Sequence, residues 1–241
     1  MNCKSFRETL SVAAAWEGVP LNFTTIGKQL NISAVAAKAR VQQLAEAGLL
    51  RLLYPLQAGD AGKSRKSPKP YLNSSAGPLL CDTARRGTLS GTLRRAPRDR
   101  PAVSPHMLFR SRMIRRICEL EAARNRSSTF WYYGGYGKTH VELIVQTPLK
   151  RIGFVFLEEN RFNRWSWSYC KRVFTRGIIQ GAFVLYPGHR IFFAADRLVI
   201  LPAEEFCKYY SRWTNACLGS SRKLLLRMVR SYNTAHARLL S

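Results

Sequence analysis

TTIGKQLNISAVAAKARVQQLAEAGLL, residues 24–50, decides how the first part of this chain folds. Two helices joined by a tight turn are written in it. Thr24 or Thr25 offers a side-chain oxygen to the free N–H groups that open a short helix, Asn31 breaks that helix, and Ser33 caps a longer one. In the longer helix Ala37, Val41, Leu44 and Gly48 recur at helical spacing and make one apolar face, against which Ile26, Leu30 and Leu49 close a small core. Gly48 suits the left-handed residue that ends a helix.

On the N-terminal side, residues 4–16 predict a first helix with Phe6, Leu10 and Ala13 or Ala14 on one side, stopped by Gly18 and Pro20. On the other side, LLRLLYPL (49–56) reads as a strand, GDAGKSRKSPKP (59–70) as a basic, turn-rich loop, and Tyr71-Leu72 as the return strand. Three helices and then a hairpin is the order of a winged helix-turn-helix, here over residues 1–72. Residues 73–105, rich in Gly, Pro, Ser and Arg, read as a basic flexible linker.

A long helix is expected from His106 to Asn125, with Phe109, Met113, Ile117 and Leu120 as its stripe. Strand signals follow at FWYY, VELIV, IGFVFL, GAFVLY, RIFFA and LVILP, with one helix between Arg161 and Arg176. Residues 106–206 thus predict a small α/β domain, and 207–241 a C-terminal basic amphipathic helix carried by SRKLLLRMVRSYNTAHARLL. The fold class expected for the whole chain is α+β.

With 241 residues, 46% of them hydrophobic, the chain has enough apolar content for two small cores. Its 39 Lys and Arg against 14 Asp and Glu give a formal charge of +25, which makes polyanions the first partners to consider. Arg heavily outnumbers Lys, a bias that a GC-rich gene also produces. The charge is uneven: residues 1–60 carry a net +2, residues 61–130 +12 and the remainder +11. No run reaches the roughly 18 apolar residues of a spanning helix, and MNCKSFRETL lacks the apolar core of a signal peptide, so the expectation is a cytoplasmic protein with no membrane partner. Six scattered cysteines without a CxxC pair and four histidines without HxxxH spacing predict neither a metal site nor a disulfide framework.

Several residues invite a functional reading. On the outward face of the second long helix stand Ala36, Ala39, Arg40, Gln42, Gln43 and Glu46. Arg40 and Gln43 have the chemistry to read base edges and Lys38 to flank on phosphate, although two alanines and a glutamate suit a protein contact as well. Lys63, Arg65, Lys66 and Lys69 in the hairpin loop suit the phosphate backbone of DNA. RFNRWSWSYCKR (161–172) mixes Arg with Trp165, Trp167 and Tyr169, but Trp165 and Tyr169 stand one helical turn apart, the spacing of a core face. GGYGKTH (134–140) ends like a phosphate-binding loop; Tyr132 occupies the place of the required earlier glycine, and strands flank the segment, so a hairpin turn is predicted and no nucleotide cofactor.

The order of long helix, strands, helix and strands, with Glu142 at the end of one strand, resembles the restriction-endonuclease-like fold. AEAGLLRLLYPL, KSPKPYLNSSAGPLL, FRSRMIRRICELEAARN, FWYYGGYGKTHVELIV, RIGFVFLEEN and LVILPAEEF, in that order, resemble a C-terminal domain of unknown function found in many prokaryotic AAA-type ATP-binding proteins. That family has a winged helix before a restriction-endonuclease-like domain, and the resemblance covers about residues 6–206.

The departures are specific. Arg110 stands at the family's first acidic position, Glu142 replaces the strand Asp, and Phe154 to Phe156 replace the Glu-x-Lys that supports metal-assisted hydrolysis. Glu158 lies roughly 13 Å beyond Phe154 along the strand, and Glu159 further still, too far to share an ion with Glu142.

The resemblance therefore implies a nuclease-like domain with no catalytic residues, no metal and no cofactor, in a weakly sequence-specific DNA-binding or regulatory protein. The family's ATPase domain is not in this sequence, so the expectation includes an ATPase partner or a lost fused ATPase domain. The alternatives are a protein-interaction module docking on an ATPase without nucleic acid and, further off, a metal-dependent nuclease with a displaced site.

Overall fold

A computed structural model describes residues 3–56, 67–76, 105–124, 127–135, 138–148, 150–157, 168–195, 197–218 and 222–239. The chain forms two compact units, Met1–Pro55 with Lys63–Ser111, and Leu56–Gly62 with Arg112–Ser241. The fold is mixed α+β, as the periodicities predict.

In the first unit, α1 (Cys3–Ala15), α2 (Phe23–Leu30) and α3 (Ala34–Glu46) precede an antiparallel pair, β1 (Leu50–Pro55) and β2 (Lys69–Leu72). The cap of α2 corrects the sequence reading. Asn22, not Thr24 or Thr25, precedes the helix, and its side chain accepts from the Thr25 N–H at 3.1 Å. The turn into α3 is tight: Asn31 is left-handed at φ 53°, and the Ile32 N–H donates to the Gly27 carbonyl at 2.9 Å. Ser33 caps α3 as expected, its hydroxyl accepting from the Ala36 N–H at 3.1 Å. Gly48 closes the helix at φ 72°, where a β-carbon would be strained.

Leu10, Leu21, Ile26, Ala37, Val41, Leu44 and Leu49 form the core of this unit. Asn73 and Ser75 both donate to the Gly48 carbonyl, at 2.8 and 3.0 Å, so the start of the expected linker is fastened to the first unit. Residues 77–104 of that linker lie outside the described residues.

The long helix α4 runs over Pro105–Ala122, and the division between the units falls within it, after Ser111. Next come β3 (Thr129–Gly135), β4 (Lys138–Gln146), β5 (Arg151–Phe156), α5 (Ser168–Thr175), β6 (Gly181–Tyr186), β7 (Phe192–Ala195) and β8 (Leu198–Pro202). In the second unit the strand order is β3-β4-β5-β6-β8-β7. An antiparallel meander, β3 to β5, leads through α5 to β6, which is parallel to β5 and β8, and β7 closes antiparallel on β8. The inner strands are apolar throughout because both faces are covered. Val155, Val184, Cys170 and Val173 lie in the core cluster on one face. Alternate residues Phe154 and Phe183 pack on Phe206, which meets Tyr210 edge to face.

The C-terminal stretch differs from the single helix expected over 207–241. The chain makes α6 (Ala203–Lys208) and α7 (Tyr210–Leu218) before α8 (Arg222–Leu239). Phe206 and Tyr210 put α6 and α7 into the aromatic core. Asn233 of α8 accepts from the Ile191 N–H at 3.2 Å and donates to the Ile191 carbonyl at 2.9 Å, so one amide satisfies backbone groups beside edge strand β7. Among the described residues no helix is long and apolar enough to cross a membrane.

Candidate nucleic-acid interface

Burial of Ala37, Val41 and Leu44 fixes which face of α3 remains outside. Lys38, Ala39, Gln42, Gln43 and Glu46 are exposed, as read from the sequence, whereas Ala36 and Arg40 are half-buried. The sequence reading missed Val35, which is 79% exposed and stands on the same stripe as Ala39 and Gln42. It also missed Lys28, exposed in the last turn of α2. The positive end of the α3 dipole and Lys38 both lie in the N-terminal half of the helix, while Glu46 ends it with a negative charge. The N-terminal half is therefore the better phosphate contact.

Beside the C-terminal end of α3 a concavity of about 460 Å³ opens against β1, lined by Gln42, Glu46, Arg51, Tyr54 and Asn73. Arg51 and Tyr54 were hidden inside the run LLRLLYPL, which reads simply as an apolar strand.

The expected wing residues divide. Lys63, Arg65 and Lys66 lie outside the described residues. Lys69 is a correction: it begins β2 opposite Leu53 and is only 3% exposed, so its ammonium has no surface to offer a phosphate. Arg110 lies on α4, the helix after the expected linker. It belongs to the first unit, where its guanidinium stands against Gly18 beside Tyr71.

In the second unit, Glu142 is half-buried in a bulge of β4: Tyr133 pairs with Val141 and Trp131 with Ile144, so three steps on β4 match two on β3. Leu143, not Glu142, lies opposite Phe154 on β5. Phe154 and Phe156, which stand where the resemblance would have a Glu-x-Lys, are buried. Glu158, Glu159, Trp165 and Trp167 lie outside the described residues, as does the Tyr169 side chain.

Burial pushes the Cys170 thiol up to about 12, helped by the nearby Glu142 charge, and burial takes Cys217 to about 12 as well. Both stay protonated thiols, poor as nucleophiles or ligands. Among the described residues no group of three or more His, Cys, Asp or Glu is placed to hold a metal ion. Within GGYGKTH, Gly135 ends β3 and Lys138 begins β4 opposite it, so a strand follows the glycines where a phosphate-binding loop requires a helix.

No family model matches this chain, and neither does any curated protein or solved structure.

Proposed function

We propose that the chain is a non-catalytic, weakly sequence-specific DNA-binding or regulatory protein of the cytoplasm, with a winged helix in its first unit and a degenerate restriction-endonuclease-like domain in its second. The observation that carries the reading is the capped helix pair α2–α3 before an antiparallel hairpin, with Lys28 and Lys38 exposed on successive helices. In a helix-turn-helix the first helix crosses the phosphate backbone and the second enters the major groove. Lys28 and Lys38 suit phosphates. Gln43 suits a base edge, and Arg40, half-buried, contributes less.

The order helix, three antiparallel strands, helix and parallel strand supports the nuclease-like reading of the second unit. The hydrocarbon at Phe154 and Phe156 supports its being inactive. The resemblance adds an ATPase as partner, whether separate or once fused. A protein-docking role for the first unit is favoured by one observation, the exposed Val35 at the N-terminal end of the α3 stripe.

Retention of plasmid DNA in magnesium and manganese tests both halves of the reading. The wild-type chain retards the plasmid and leaves it supercoiled. Lys28→Ala with Lys38→Ala weakens retention several-fold, and equally on unrelated sequences. Unchanged retention removes this face from the interface, and metal-dependent nicking lost in Glu142→Ala makes the chain a nuclease.

A further inference from the structure

Between α7 and α8 the second unit holds a pocket that none of the readings above uses. Its volume is about 200 Å³, and Glu205, Tyr209, Arg212, Trp213, Met228 and Tyr232 line it. That is below the roughly 300 Å³ of a drug-sized site, and suits a single ring system. The walls are aromatic and the rim is charged. Tyr209 is 40% exposed, with the Lys208 ammonium 5.2 Å from its ring centroid. The Glu205 charge helps burial raise the Tyr232 phenol, which places the carboxylate near that ring.

The surface around the pocket is cationic. Helix α8 contains no acidic residue, and Arg227 and Arg230 are exposed while Met228 and Val229 are buried. Lys208 and Arg212 are exposed on α6 and α7. Like charges one turn apart on a helix repel, so this stripe weakens the free helix and is relieved by a polyanion.

We propose that this face binds single-stranded nucleic acid, with one unpaired base in the pocket and the flanking phosphates on Arg212, which lines it, and Arg227, one helical turn from Ser231. Single-strand sites combine these two elements, a cationic track and aromatic side chains on which a base stacks without regard to sequence. Tyr209 is the stacking surface that solvent already reaches. The Glu205 carboxylate accepts from the N–H groups that a base displays once it has lost its pairing partner. A paired base presents neither its face nor that edge, so the pocket discriminates against duplex. The site lies entirely in the second unit and stands whether or not the first unit binds DNA.

Fluorescence anisotropy of the full-length chain with labelled oligothymidylate, oligouridylate and a short duplex tests it. Tyr209→Ala is expected to weaken single-strand binding about tenfold while Tyr209→Phe retains it, and neither changes duplex binding. Arg212→Gln with Arg227→Gln is expected to flatten the single-strand salt slope by about 1.4 log units per log unit of salt. Either strand that follows this pattern supports the site. The proposal is overturned if the wild-type chain binds neither strand, or if Tyr209→Ala binds as the wild type does. Duplex binding is read in its own arm, so losing one site leaves the other standing.

Discussion

The Glu121 carboxylate near the end of α4 is 2% exposed, and every bond it makes crosses to a different side chain. It accepts from the Tyr210 hydroxyl at 2.9 Å, from Arg124 at 3.4 Å and from the Ser128 hydroxyl at 2.5 Å. Arg124 goes on to Thr214 at 2.9 Å and Asn215 at 3.2 Å, and its guanidinium stands 5.6 Å from the Tyr210 ring centroid. The network ties α4 to α7. Removing one member of a buried charged pair leaves the other desolvated and unpaired, so Glu121→Ala should cost about 3–5 kcal/mol in urea unfolding. A loss under about 1 kcal/mol would mean that water replaces the carboxylate and the network is dispensable. None of this was legible in the sequence, because Glu121 and Tyr210 are 89 positions apart and a Glu in ICELEAARN reads as a solvated helix charge. Lys69 misled for the same reason: Ser-Pro-Lys-Pro looks like an exposed turn, and only tertiary packing buries it.

At the scale of elements, the helices and strands with strong local signals formed where their periods put them. Ser33, Asn31 and Gly48 each play the part their chemistry dictates in or beside α3. The strands of the second unit coincide with the six apolar runs. What escaped was α6 and α7, since AEEFCK and YSRWTNACL are short, and their apolar residues fall against the sheet only once Phe206 and Tyr210 have partners. The cap of α2 escaped by two or three residues because Asn22 and two threonines compete for one task. The α2–α3 turn rests on a close approach at Gly27, where a β-carbon would lie 2.6 Å from the Ile32 carbonyl oxygen. Backbone cannot yield there as a flexible side chain could. Gly27→Ala should therefore destabilise the first unit by about 1–3 kcal/mol and weaken duplex binding in step, read by thermal unfolding and anisotropy. A variant with wild-type stability would show that the turn opens at little cost.

Across the whole molecule the formal +25 is the property most visible in the sequence and the least specific. It speeds encounter with any polyanion but does not say which face receives one. The two proposed faces differ in kind: α2 and α3 present Lys28 and Lys38 on successive helices, and α7 and α8 present Arg212 and Arg227 beside a pocket. Arg110 stands against Gly18 in the first unit, and Glu142 sits in a β4 bulge. Those destinations depend on three-dimensional packing, which spacing along the chain does not encode. The central claim, duplex binding through phosphate contacts, is tested most directly by the slope of log affinity against log salt for a duplex. The account predicts a linear fall of about 0.9 per phosphate contact, flattened by about 1.8 when Lys28 and Lys38 are replaced together by Ala. A slope near zero, or one that the double variant leaves unchanged, would contradict it.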